Sequence, residues 1–215
     1  MAQAQREIRL AGATLAHWRH VCAFFRTADE KYQVLLPFIK EGLERGERAF
    51  HVVDPALRED HLRRLEQAGI DVAAAQRTGQ LEVHDWEQAY LRGGGFDQEA
   101  MLGLFEEILE NGRTAGYPRT RLVMPAEWVL EPRPGVDDLV EYEARANDLL
   151  SRYDDPVICT YNISRFGAGI MVDILRTHPV AIIGGLLQVN PFFLPPAQFL
   201  RELHGPVGRV RRAEP

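Results

Sequence analysis

The sequence predicts an α/β fold, a mostly parallel sheet flanked by helices. Short apolar runs rich in Val, Ile and Phe alternate with longer amphipathic stretches, the pattern of repeated βαβ units. Capping residues stand at the joints, with Asp97 before a helical run, Pro55 at a helix start and Gly46 after a helix end. No internal repeat or low-complexity linker divides the 215 residues, a length that suits one sizeable domain.

In chain order, "REIRLAGATLAHWRH" reads as an edge strand or hairpin leading to a core strand over residues 20–25. Residues 29–45 follow as a helix, since Tyr32, Leu35, Leu36, Ile39 and Leu43 recur at three- and four-residue spacing; Pro37 predicts a kink. "RAFHVVD" is a buried strand ending on Asp54, an N-cap for the helix "PALREDHLRRLEQAGID". "QLEVHD" is a strand, "RGGGF" a turn and "DQEAMLGLFEEILENGRTAGY" a helix. "RLVMPAEW" is a strand that Pro125 ends. After the "EPRPG" break come the helix "VDDLVEYEARANDLLSRY", the strand "PVICTYN" and the helix "AGIMVDILRTH". "PVAIIGGLLQV" holds one or two strands, and "NPFFLPPAQFLREL" leads into a last helix. Residues 1–204 form one domain in this reading, and 205–215, with the basic ending "GRVRRAEP", form a flexible tail. In a doubly wound sheet the ligand crevice lies at the carboxyl ends of the strands, here around residues 24–32, 54, 126–128, 160–162 and 184–190.

A net charge of −6 and a pI near 5.7 argue against direct nucleic-acid binding by the body of the chain. Cys22 and Cys159 lie within apolar runs and do not make a secreted disulfide framework. No segment approaches eighteen consecutive apolar residues, and the polar start "MAQAQREIRL" is no signal peptide. The expectation is a cytoplasmic protein without a membrane contact.

The stretch "FRTADEKYQ" sits between a strand and a helix, where many nucleotide-binding proteins hold phosphate. Lys31 is present, but glycine is absent and Tyr32 stands where a Ser or Thr hydroxyl would hold magnesium. Aligned on "EGLERGE", the segment from Phe24 to Asp54 resembles the first βαβ unit of RecA-like ATPases of the KaiC group. Phe25 and Glu30 then replace the two framing glycines of a degenerate P-loop. Without glycines the backbone N–H groups do not curl round phosphate oxygens, and Glu30 adds repulsion.

"HVC", "EGLERGE", "AEW", "CTYN", "RTHP" and "NPFF", in that order over residues 14–204, resemble the MEDS domain, a sensory domain of methanogens and methylotrophs. The resemblance implies a RecA-like core and a non-catalytic sensor of small hydrocarbon derivatives. It implies no cofactor, and a small organic ligand at the strand ends.

The residues expected at that ligand are His20, Cys22, Phe25, Lys31, Tyr32, Glu127, Trp128, Tyr161 and His178. His20 and Cys22, two apart on a strand, share a face; each also has an ordinary structural explanation, as a satisfied strand-edge histidine and a small core thiol. Trp128 is either a pocket wall or core, and Glu127 an acceptor, a base or a solvated carboxylate. His178 suits the end of a helix on dipole grounds alone. In a RecA-like strand order "PVICTYN" lies beside "HVCAFF", which brings Cys159 toward Cys22; a His20/Cys22/Cys159/His178 metal site and a Cys22–Cys159 disulfide are the weaker alternatives. With no helix-turn-helix, kinase or receiver motif, output falls to a partner such as a histidine kinase, an anti-sigma factor or a transcription regulator, and a homodimer is compatible with the sequence. Rival readings are an enzyme with Cys22 as nucleophile and His20 or Glu127 as base, and a non-hydrolysing nucleotide- or metal-binding module.

Overall fold

The computed structural model describes residues 7–205. A hairpin of β1 (Ile8–Leu10) and β2 (Ala13–Leu15) precedes a seven-stranded sheet. The sheet strands are β3 (His20–Phe25), β4 (Arg48–Val53), β5 (Leu81–Asp85), β6 (Thr120–Pro125), β7 (Val157–Asn162), β8 (Val180–Ile183) and β9 (Leu186–Val189), in the order β5-β4-β6-β7-β3-β8-β9. All neighbours are parallel except the β8–β9 pair. Gly184 and Gly185 both take positive φ at the two-residue turn of that hairpin, the conformation a tight β-hairpin needs.

The helices are α1 (Ala28–Glu44), α2 (Arg58–Gln67), α3 (Val72–Arg77), α4 (Trp86–Ala89), α5 (Gln98–Thr114), α6 (Leu139–Leu150), α7 (Ala168–Thr177) and α8 (Pro196–His204). Two apolar layers sandwich the sheet. One joins Val21, Ala23 and Phe25 to α1, α2, α3 and the β1–β2 hairpin; the other joins Cys22 and Phe24 to α5, α6 and α7. The central strands β3, β4 and β6 are buried at every position, as expected of parallel strands covered on both faces.

The expected elements are present, with refinements. Asp97 accepts from the N–H groups of Glu99 and Ala100, and Asp54 from that of Ala56. α1 runs on through Pro37. The short helices α3 and α4 were not expected from the sequence, because neither is long enough to display a full apolar period. The ending "GRVRRAEP" lies outside the described residues. No described helix is long and apolar enough to cross a membrane.

The amino end of the sheet is tied by a buried ion network. Glu47 receives Arg119 Nη1 at 2.8 Å and Arg121 Nε at 2.5 Å. Arg121 also donates to the Phe38 carbonyl and to Glu41, which draws α1 onto β6. Removing the shared carboxylate leaves Arg119 with only Asp154 and Arg121 with only Glu41 as counter-charge, with buried N–H donors unmet. Breaking a buried pair so that a charge is left uncompensated costs about 3–5 kcal/mol; with Asp154 and Glu41 still in place, Glu47→Ala should lose unfolding free energy up to that range in urea titration.

Candidate functional site

Because β3, β4, β6 and β7 run in parallel, their carboxyl ends open together, and a cavity of about 120 Å³ lies there. Its apolar wall includes Phe25, Tyr32, Leu35, Val53 and Trp86; Lys31, His61, Glu127 and Asn162 supply polar atoms. Only Arg26 and Thr27 separate β3 from α1. The Thr27 hydroxyl accepts from the N–H of Glu30, and the Glu30 carboxylate accepts from the N–H of Arg26 at 2.8 Å. Thr27 thus satisfies one free donor of the helix, while Glu30 reaches back to the N–H of the residue before the cap, a variant of the capping box.

Lys31 reaches the cavity with no hydrogen-bond or ion-pair partner among the described residues, its ammonium 5.2 Å from the centre of the Tyr32 ring. Burial lowers its pKa, against the opposing charge of Glu127. Glu127 accepts from the N–H of Asn162 at 2.9 Å, which fixes the loop after β7. Tyr32 Oη lies 2.7 Å from His61 Nδ1, and His61 Nε2 lies 3.1 Å from His51 Nδ1. One hydrogen-bonded chain therefore leads from the cavity into the core.

A second cluster lies on the other face of the sheet. Glu143 of α6 is 3% exposed. Tyr161 donates to its Oε1 at 2.8 Å; His20 Nε2 lies 3.2 Å and His178 Nε2 3.6 Å from its Oε2. Cys159 Sγ is 3.5 Å from His20 Nε2 and 3.9 Å from Glu143 Oε2. Burial alone would raise the Glu143 pKa, but the hydrogen bond with His20 and the neighbouring imidazoles hold it below the ordinary value. Burial and the Glu143 charge push both cysteine thiols up.

The nine expected ligand residues therefore do not share one place. Phe25, Lys31, Tyr32, Glu127 and Tyr161 line the cavity. His20 and His178 belong to the buried cluster, and Tyr161 reaches it through its hydroxyl. The division follows from strand geometry, since Phe25 points to the face opposite His20 and Cys22. Cys22 pairs in register with Cys159, yet its Sγ is directed to the Val180 carbonyl; both cysteines are free thiols. Trp128 is core, 4.7 Å from the Tyr90 ring and 4.6 Å from that of Phe96. Residues 184–190 do not line the cavity.

The sequence reading passed over Glu143, Asn147, His61 and Trp86. For the first two a signal existed: with Leu139, Ala146 and Leu150 they fall on the three- and four-residue spacing that marks the buried face of α6.

His51 and His61 are both buried, and burial lowers both pKa values, that of His61 to about 3. Both rings stay neutral in the folded chain while the unfolded chain protonates near 6.5. Their contribution is therefore fully present above about pH 6.5 and is lost as the pH falls toward the folded values. The slope approaches about 1.4 kcal/mol per pH unit for each histidine. In urea titrations from pH 7 to 5, His51→Leu/His61→Leu should remove that share of the slope whatever it does to the absolute stability.

Comparison with known proteins agrees with this architecture. The model of the MEDS family (MEthanogen/methylotroph, DcmR Sensory domain) matches residues 19–179. The transcriptional repressor DcmR of Methylorubrum extorquens (strain DSM 6343 / CIP 106787 / DM4) is 25% identical over 171 residues, 79% of this chain and 62% of that protein. The chain thus spans less than two thirds of that relative's length. A KaiC-like protein of Pyrococcus horikoshii OT3 superposes with a TM-score of 0.54 over 76% of this chain and 70% of its own, at 16% identity. That likeness shows a shared RecA-like fold. With the family model covering well over half of its 215 residues, the chain belongs to the MEDS family of sensory domains.

Proposed function

We propose that this domain senses a small organic molecule held in the cavity at the carboxyl ends of β3, β4, β6 and β7. It passes the bound state to a transcription regulator, without chemical turnover. The observation that carries the reading is the composition of the cavity, a largely apolar chamber with two cationic side chains, Lys31 and Arg165, at its wall. Its 120 Å³ is close to the roughly 150 Å³ that accommodates benzene in an engineered protein cavity, and well below the roughly 300–1,000 Å³ of drug-sized sites. A compact molecule with one acceptor, such as a carbonyl, a halide or a carboxylate, fits both the volume and the ammonium.

The polyanion that RecA-like ATPases hold at this place finds less here, since the N–H groups of Arg26 and Glu30 are taken by the Glu30 and Thr27 side chains. The reading with Cys22 as nucleophile loses support as well, because a reactive thiol needs access and a depressed pKa, and Cys22 is fully buried with its pKa raised. A regulatory output is supported by the relative named a transcriptional repressor.

Thermal unfolding with a panel of one- to six-carbon halides, alcohols, aldehydes and carboxylates tests the proposal. A ligand at a hundred times its Kd adds about 2.7 kcal/mol, a rise of about 5–10 °C for a chain of this size. The rise should vanish in Ala28→Trp, which fills the mouth from an exposed position, and shrink in Lys31→Met. A Tm unmoved by the whole panel but raised by magnesium-ATP would overturn the proposal in favour of a nucleotide.

A further inference from the structure

We propose that His20, Glu143, Cys159 and His178 form a buried four-ligand site for a divalent transition metal of the zinc class, separate from the strand-end cavity. The first ground is convergence. One donor atom from each residue lies within 4.8 Å of all the others, and four of the separations are 3.2, 3.5, 3.6 and 3.9 Å. Bonds of about 2.0–2.1 Å to nitrogen or oxygen and about 2.3 Å to sulfur, arranged tetrahedrally, place ligand atoms about 3.3–3.6 Å apart. Those four contacts need to change by only a few tenths of an ångström, and the two remaining pairs, also within 4.8 Å, close by rotation of the His178 and Cys159 side chains.

The second ground is the set of bonds made by the other ends of the same residues. His178 Nδ1 donates to the Ile174 carbonyl at 2.9 Å, and His20 Nδ1 to Asn147 Oδ1 at 3.1 Å. Asn147 is held in turn by its amide N–H bonds to the carbonyls of Glu143, Ala144 and Thr177. With both Nδ1 protons so engaged, each neutral ring presents the Nε2 lone pair to the centre, the arrangement that metal-bound histidines show. Tyr161 occupies Glu143 Oε1 and leaves Oε2 facing inward.

The third ground is an unmet need. His178 Nε2 is fully buried and has no hydrogen-bond partner, and it faces a carboxylate oxygen that also carries lone pairs. One proton on His20 satisfies one of these contacts and leaves the other. A divalent cation satisfies all four donors, and it deprotonates a coordinating thiol outright. Two imidazoles, one carboxylate and one thiolate around a 2+ ion sum to zero charge, which suits a site this deeply buried. With all four positions filled by protein, the site is closed and structural rather than catalytic. It ties β3, α6, β7 and the α7–β8 junction together. Cys22 stands outside it, with Sγ on the Val180 carbonyl.

The test is metal analysis of the full chain purified without chelator, followed by chelation and reconstitution with cobalt(II). The expected result is one equivalent of metal per chain, a thiolate-to-cobalt charge-transfer band, and a lower Tm after chelation. The nearly isosteric Cys159→Ser should lose the band, and with His178→Ala should weaken zinc binding more than 100-fold. Asn147→Ala should weaken it about 10–100-fold through the ring it orients, and Cys22→Ser should change nothing. A stripped wild-type chain that is folded by circular dichroism, yet shows neither band nor Tm gain with excess cobalt or zinc, would overturn the proposal. So would metal that binds equally to the Cys159→Ser and His178→Ala chains, since it then sits elsewhere.

Discussion

The buried carboxylate of Glu143 is the constraint around which one half of the molecule is arranged. An ionised carboxylate away from water is sustained only by groups that face it directly. Here they arrive from distant parts of the chain: His20 from β3, Cys159 and Tyr161 from β7, and His178 from the junction of α7 and β8. One helical turn on, Asn147 bridges α6 to the end of α7 through the Thr177 carbonyl and to β3 through His20. The polar groups thus fix the register in which α6 and α7 pack on the sheet, a specificity that apolar contacts alone define less sharply.

Parallel pairing explains why the polar groups divide into two places. Successive side chains of β3 point to opposite faces, so His20 and Cys22 look toward α6 and α7, whereas Val21, Ala23 and Phe25 look toward α1. The strand ends, by contrast, are open to both layers, and the cavity there draws Leu35 from one layer and Trp86 from the other. Tyr161 belongs to both places, since it lines the cavity while its hydroxyl holds Glu143. The two sites share a side chain, although their other residues face apart.

Much of the fold was legible because buried parallel strands are continuous apolar runs and their helices carry clear caps. The pairing of β3 with β7, and with it the meeting of Cys22 and Cys159, followed from the resemblance to RecA-like order. The site was less legible. Glu143 and Asn147 sit inside "DLVEYEARANDLL", where charged residues are ordinarily assigned to the solvent face; only their phase relative to Leu139 and Leu150 marks them as inward. The chain through Tyr32, His61 and His51 joins the successive elements α1, α2 and β4 side by side, and the spacing of residues within any one element does not record such a meeting. Trp128 was ambiguous for a plainer reason, since a large ring beside a strand end is equally at home in a pocket wall or in the core, and here Tyr90 and Phe96 enclose it.

The segment from Phe25 to Tyr32 shows what the RecA-like frame does with its first loop in this chain. In a phosphate loop the strand and helix are separated by residues whose backbone N–H groups turn inward, and glycine makes that turn accessible. Here the helix begins at Ala28, so Glu30, Lys31 and Tyr32 already belong to its first turns, and no extended loop is left to curl. Thr27 and Glu30 then accept from the N–H groups of Glu30 and Arg26, and the first turn of the helix carries two acidic residues, Asp29 and Glu30. The polar groups this cavity offers therefore come mainly from side chains. Lys31, Arg165, His61 and Glu127 supply polar atoms there among aromatic and aliphatic walls.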